Sequence, residues 1–200
     1  MKNIFNVGIL IKEKIMSNLT RIAIGTSFKK LLEEKPLKKI TIQDIVDDCG
    51  INRNTFYYHF HDIPFLLESL LKDDFDKLIL ENPDINSIED CLNTVSRFIE
   101  ENKIATLHIY KSINRDIFEK FQWRICDYAV NQYLSKQFPK VTISEDDKDI
   151  ILLYIKSLCF GVIMGWLEND LKNDIQPFIH RICELKQGEL DIVLEKCRIK

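Results

Sequence analysis

Residues Ile150 to Leu167, IILLYIKSLCFGVIMGWL, form the most apolar run in this 200-residue chain, and any fold must cover it. Its 18 residues approach the roughly 20 that a helix needs to cross a bilayer. Lys156 stands inside the run, at about 2.5–3.5 kcal/mol if carried to a bilayer centre, and the acid-rich flanks carry no positive-inside signal. A helix buried on nearly all sides in a soluble protein fits better, one side packed in its own subunit and another against a partner. Ser144 followed by Glu145, Asp146 and Asp147 starts that helix, with acids at the positive end of its dipole. Gly161 and Gly165 lie four apart on one face, where small residues permit close approach. A last helix from about Ile175, ending before Gly188, carries Phe178, Ile179, Ile182 and Leu185. The expected homodimer interface is therefore Phe160, Gly161, Met164, Gly165, Phe178 and Ile182.

A second stretch, TIQDIVDDCGINRNTFYYHF from Thr41 to Phe60, reads as two short helices around a tight turn. Ile42, Ile45 and Val46 recur at helical spacing, Thr41 is a natural N-cap, and Asp44 completes a variant capping box. Gly50 suits the left-handed residue that ends a helix, and Asn52 caps the next one. This is a helix-turn-helix pattern. Phe56 and Phe60, four apart, face the core. Arg53, Asn54, Thr55, Tyr57, Tyr58 and His59 cover the rest of the second helix, and none is acidic. Arg and Asn can read guanine and adenine edges, Thr can touch a thymine methyl, and Tyr hydroxyls can reach phosphates. A polar surface helix with two stray tyrosines is the competing reading.

The run from about Leu19 to Leu71, with LLEEKPLKKITIQDIVDDCGI, NRNTFYYHFHD and PFLLESLL, resembles the DNA-binding domain of TetR-family transcriptional regulators. It departs from the family's pattern at His61-Asp62-Ile63-Pro64, where a lysine commonly reaches a phosphate, and His61 is the candidate substitute. FGVIMGWLEND, within Tyr154 to Asp170, is similar to a subgroup that includes the regulator of dihydroxyacetone kinase genes. The resemblance implies an all-α, TetR-like fold: an N-terminal three-helix helix-turn-helix domain and a C-terminal helical bundle that forms a homodimer through its last two long helices. It also implies repression of an operator, released by a small molecule. An activator or co-regulator whose C-terminal part binds a protein is the alternative, and a helical-bundle enzyme or carrier a more distant one.

Charge agrees with a DNA-facing end. Net charge is −3, but residues 1–62 carry 10 Lys+Arg against 7 Asp+Glu, and the remainder 18 against 24. A basic module on an acidic body can present one end to nucleic acid. Lys29, Lys30, Lys38 and Lys39 supply positive charge near the reading helix, more suited to phosphate than to base. Thr41 stands where a helix N-terminus can point amides at a phosphate. The expected DNA-binding set is Lys39, Thr41, Arg53, Asn54, Thr55, Tyr57, Tyr58, His59 and His61.

Residues 1–17 read as an extension ahead of the first helix, which is expected from about Asn18 to Glu34 with Ile22, Ala23, Phe28, Leu31 and Leu32 inward. Lys12-Glu13-Lys14 can be encoded by a purine run resembling a ribosome-binding site before Met16, so residues 1–15 are either a mis-assigned start or a basic arm that touches DNA. The helix-turn-helix domain is placed at 18–63 and the ligand-binding and dimerisation domain at 64–200. Helices are expected over 87–102, 104–113 and 115–138, with a loop from Pro139 to Lys148. Phe98, His108, Tyr110, Trp123, Tyr128 and Tyr154 are candidates to line a pocket for an effector of unknown identity, with ordinary core packing as the alternative.

No nucleophile elbow, Walker loop, dinucleotide fingerprint or H-E-x-x-H occurs, so no catalytic residue, cofactor or enzyme activity is expected. The six cysteines are widely spaced without a C-x-x-C, which argues against structural zinc or another metal site and for free thiols in a cytoplasmic protein. Small hydrophobes in a core are the favoured reading of those thiols over a redox sensor.

Overall fold

A computed structural model describes residues 2–112 and 114–198, with the side chains of 15–112, 114–139 and 141–198. Ten α-helices and two single turns of 3-10 helix occur among the described residues, with no strand, as expected of an all-α chain. The N-terminal group is α1 (Lys2–Glu34), α2 (Ile42–Cys49) and α3 (Arg53–His59). Then come α4 (Ile63–Glu81), α5 (Ile88–Glu101), α6 (Lys103–Tyr110) and α7 (Arg115–Ser135). The chain continues with α8 (Glu145–Glu168), α9 (Gln176–Leu185) and α10 (Glu189–Lys196).

Local signals set the ends of these helices. The Thr41 side chain accepts from the Asp44 amide while Asp44 Oδ2 accepts from the Thr41 amide at 2.7 Å, a complete capping box. Gly50 adopts φ 66° and stops α2, where a Cβ-bearing residue is disfavoured. Asn52, Asp62, Ser87 and Ser144 cap α3, α4, α5 and α8 through side-chain oxygens.

Five expectations need correction. The first helix begins at Lys2 rather than near Asn18. Ile22 is 53% exposed, and Ile24 takes the inward position instead, one turn before Phe28 and two before Leu31. The long helix α7 stops at Ser135, and Phe138–Lys140 form a separate 3-10 turn. The loop after it closes at Ser144, where α8 begins. Helix α10, after Gly188, was not anticipated. The choice between arm and mis-assigned start concerns residues 1–15, nearly all of whose side chains fall outside the described residues.

The three N-terminal helices, called the head below, enclose Ile24, Phe28, Ile45, Val46, Phe56 and Phe60, all buried. A buried hydroxyl, Ser27 Oγ, donates to Ile45 O at 3.3 Å and ties α1 to α2. Helix α4 joins the head to the remaining helices, the body, and packs on α7. Within the body, α7 packs against α8 and α5, and α5 against α9 and α8.

Helix α8 is long and apolar enough to cross a membrane by length and composition. Ile151, Ile155, Cys159, Ile163, Trp166 and Leu167 bury one side of it within the chain. Lys156 is accommodated by Asp127 at 2.7 Å and by the Trp123 ring, 4.6 Å from its centroid. The opposite side is not covered. Ile150, Leu153, Tyr154, Gly161 and Gly165 are exposed along it, and Phe178 and Leu185 of α9 continue the apolar surface.

Candidate nucleic-acid interface

Helix α3 presents its polar side outward because Phe56 and Phe60 hold the other side in the core. Tyr57 and Tyr58 stand out from it, Tyr58 at 78% exposure, and Arg53 and Asn54 are exposed at its start. Arg53 is not free to wander. Its Nε donates to Gln43 Oε1 at 2.9 Å, and Gln43 Nε2 donates to Asp47 at 2.6 Å. Gln43 lies on the exposed side of α2 and was not singled out from sequence. Its signal is only a polar residue in the first turn, ten positions ahead of Arg53.

Thr55 is turned inward by comparison. Its hydroxyl and its amide both donate to Asn52 Oδ1, at 3.1 and 2.9 Å, so the hydroxyl belongs to the cap and the methyl is what remains to offer a ligand. Thr41 is likewise engaged, its hydroxyl donating to Asp44 Oδ2 at 2.7 Å. Hydrogen bonds from the Thr41 hydroxyl and amide, with Lys35 behind them, hold the Asp44 carboxyl down at about 2. That carboxylate already occupies the amide and hydroxyl donors of Thr41 at the start of α2.

Burial, with the Arg21 guanidinium nearby, pushes the half-buried His59 below its ordinary value, so it is neutral at neutral pH. His61 is exposed, lies against Phe65 at 4.4 Å between centroids and approaches Asp62 at 3.2 Å.

The lysines divide into two kinds. Lys29 pairs with Asp74 at 2.6 Å and Lys30 with Asp48 at 2.5 Å. Lys38 and Lys39, on the 3-10 turn before α2, are exposed and have no acidic partner among the described residues. They carry positive charge not paired with an acid on the turn that leads into α2.

Of the candidate pocket residues, Phe98 and Tyr110 meet in one aromatic cluster and the other four go elsewhere. Phe98 meets Phe121, and Tyr110 meets Phe118, which touches Phe121 in turn. Trp123 turns to Phe160 and Lys156, Tyr128 to Phe75, and Tyr154 to Lys186 and Glu189. His108 leaves the body altogether and contacts Leu32 O of α1 at 2.6 Å. The more telling polar residue was missed. Gln122, one turn after Phe118 on the inward side of α7, is fully buried with neither amide atom hydrogen-bonded, and the buried Tyr110 hydroxyl is also unpartnered. Its signal was a glutamine inside a run of inward-facing apolar positions.

The predicted interface residues take two orientations. Gly161, Gly165 and Phe178 line a groove of about 920 Å³ between α8 and α9. Ile182 does not line that groove but a separate cavity formed with Leu190 and Val193 of α10, and Phe160 packs on Trp123 at 5.2 Å. Met164 is half-buried. Cys91, Cys126 and Cys159 are buried, and burial pushes the first two thiols up to about 12, which keeps them protonated and poorly reactive.

Residues 29–70 match the family model for bacterial regulatory proteins of the tetR family, and residues 86–188, more than half the chain, match its transcriptional regulator C-terminal region. The chain belongs to the TetR family of transcriptional regulators. Among its TetR-family relatives, the HTH-type dhaKLM operon transcriptional activator DhaS of Lactococcus lactis is 31% identical over 108 residues. That match covers 54% of this chain and 58% of the relative, so the chain spans little more than half the length of the curated relative it matches.

A solved structure of the dihydroxyacetone kinase operon activator DhaS superposes with a TM-score of 0.68 at 24% identity, covering 86% of this chain and 97% of that one. A TetR regulator from Streptococcus agalactiae gives 0.58 at 19% identity, covering 95% and 99%. GusR of Salmonella enterica gives 0.53 at 12%, covering 88% and 95%. At these identities the structures show a shared fold. The family is one of transcriptional regulators, not enzymes, and DhaS is named a transcriptional activator.

Proposed function

We propose that the chain binds operator DNA as a two-fold dimer and regulates transcription in the cytoplasm, with α3 entering the major groove. The observation that carries this is the outward side of α3: Arg53, Asn54, Tyr57 and Tyr58 exposed together, no acid among them, and the unpaired Lys38 and Lys39 close by in the chain. Arg53 and Asn54 take base edges, Thr55 a methyl contact, and Tyr57, Tyr58, His61 and Lys39 the phosphates. His59, neutral and half-buried, supports the helix more than it adds charge. The first turn of α2 is the weakest member of this set, since Asp44 already occupies the Thr41 donors.

One helix-turn-helix makes few contacts, so two copies reading half-sites one or more helical turns apart are needed. The exposed apolar side of α8 and α9 supports joining of two bodies there, with residues 18–63 as the DNA-binding part and 64–200 as the dimerisation and effector part. Gln122 and Tyr110 supply polar groups in the body core for a small effector. The buried polar side chains of the body, Thr94, Ser96, Thr106 and Gln122, are all uncharged, which favours an uncharged ligand over an anion or a metal ion, while the Arg115 guanidinium over the Tyr110 ring at 4.3 Å is the nearest charge to that hydroxyl.

The sign of regulation follows the relative: activation rather than repression. DhaS of Lactococcus lactis is an activator by name, and this favours a body that senses its signal directly or through a protein partner. Incubating the full chain with random duplex DNA and sequencing what it retains tests the core of this reading. A symmetric pair of half-sites with strongly salt-dependent affinity is the expected result. Retention of no preferred sequence, or affinity indifferent to salt, would refute it. A reporter behind the selected site should lose expression when the gene is deleted, whereas a gain would restore repression as the sign.

A further inference from the structure

Residues 63–200 carry 18 Lys+Arg against 24 Asp+Glu, so a local excess of positive charge on the body stands against its composition. One such excess surrounds an open groove of about 540 Å³ between α4 and α7, to which α8 adds Phe160. Lys120 and Arg124 line it from successive turns of α7, and Lys72 lines it from α4. Little of this charge is neutralised within the chain. Lys72 and Arg124 have no acidic partner among the described residues, and Lys120 keeps only a 3.7 Å contact with Asp116, both side chains well exposed. A pair so exposed contributes little. Of the two acids in the lining, Glu119 is taken by Arg115 at 2.5 Å, which leaves Glu68 alone against three cations.

The walls are aromatic and fixed. Trp123 meets Phe160 edge to face, 5.2 Å between centroids at 82°. The Lys156 ammonium lies 4.6 Å from the Trp123 ring and is itself tied to Asp127 at 2.7 Å, so two contacts hold the indole. Phe121, the third ring of the lining, is buried against Phe98 and Phe118. Arg124 is steadied by a ring instead of an acid, its guanidinium 5.1 Å from the centroid of Phe75. A guanidinium held that way keeps its N–H donors for a ligand or for water. Rigid rings beside an open guanidinium fork suit a flat apolar molecule that ends in a carboxylate: the rings pack its body, and the fork takes both oxygens. The groove's volume lies within the roughly 300–1,000 Å³ of small-molecule sites.

We propose that this groove is a second ligand site on the body, one that binds an aromatic carboxylate. Arg124 holds the carboxylate, Lys72 and Lys120 add charge at the rim, and Trp123 and Phe160 pack the ring. The site is separate from the core around Gln122 and Tyr110 and opposite to it in chemistry. Gln122 stands between Phe121 and Trp123 in sequence but does not line the groove. Its core offers uncharged polar groups to an uncharged ligand, whereas the groove selects an anion.

The experiment is isothermal titration calorimetry of the full chain with naphthoate and, as its uncharged counterpart, naphthamide. Naphthoate should bind about tenfold or more tightly than the amide, as a charge-assisted contact requires. Arg124→Gln should weaken naphthoate by about fivefold or more and Lys72→Gln by about twofold or more, both leaving the weaker binding of the amide in place. Lys77→Gln removes the same charge from α4 outside the groove and should change neither. Gln122→Leu alters the core and should also leave naphthoate unchanged. Equal affinity for acid and amide, no naphthoate binding at millimolar concentration, or binding that Arg124→Gln does not weaken would overturn the proposal. Loss of naphthoate binding in Gln122→Leu would overturn it too, by moving the site into the core. Arg124 is exposed, so its variant should fold as the parent does; should circular dichroism show otherwise, Lys72→Gln decides with the same expectations. The titration contains no DNA, so a failure of operator binding leaves its outcome untouched.

Discussion

Gly161 offers a clean separation between folding of the chain and joining of two chains. A Cβ built on it meets no atom within 4 Å in its own subunit, so Gly161→Leu finds open space on the exposed side of α8. Within one chain the change should even help, because leucine is better than glycine in a helix interior by about 0.8 kcal/mol. In a two-fold dimer packed through α8 and α9, the added side chain enters the interface twice, once from each copy. Overpacking of about 1–3 kcal/mol at each site, roughly 2–6 kcal/mol together, raises the dimer Kd by about 30-fold to 20,000-fold. Sedimentation velocity across micromolar concentrations reads the Kd, and urea unfolding at low concentration reads the monomer. The expected result is a variant that dissociates readily while its helix content and dilute-limit stability match or exceed the parent's. A wild-type monomer, or a variant that dimerises as tightly as the parent, would refute the placement of the interface.

Three further outcomes follow from particular residues. Gln122→Leu removes two unpaired buried amide atoms at similar volume and should raise stability by about 1–3 kcal/mol, read as a higher urea midpoint; a lower midpoint would mean the amide has a partner. Asp44→Ala should lower stability at neutral pH and have little effect near pH 2. The Asp44 carboxyl is depressed to about 2, so its contribution is present above the ordinary carboxylate value and lost as pH falls through the folded one; a pH-independent difference would contradict this. On selected operator DNA, Arg53→Ala should relax preference at one position by about 1–3 kcal/mol, while Lys39→Ala weakens all sequences alike and lowers the salt slope by about one unit. The reverse pattern in a binding titration would exchange their roles.

The helix-turn-helix was legible because its signals are short-range. Thr41, Gly50, Asn52 and Asp62 each act within about four residues, through caps and a left-handed turn that only local chemistry decides. The apolar run at 150–167 was legible for a different reason: water excludes it whatever the fold, so a central helix with a covered side had to exist. Periodicity, however, names sides of helices and not their neighbours. Whether Lys29 is free depends on Asp74, 45 residues away, and that is a matter of how α1 crosses α4. Of the aromatic residues chosen as pocket walls, Phe98 and Tyr110 share the Phe118–Phe121 cluster while Trp123, Tyr128 and Tyr154 go to separate partners, because the packing of the body helices decides which rings meet. His108 is the sharpest case. Sequence shows a histidine on a short helix and, 72 residues earlier, a proline that strips the Leu32 carbonyl of its donor; only the packing of α6 on α1 brings His108 Nδ1 within 2.6 Å of that carbonyl.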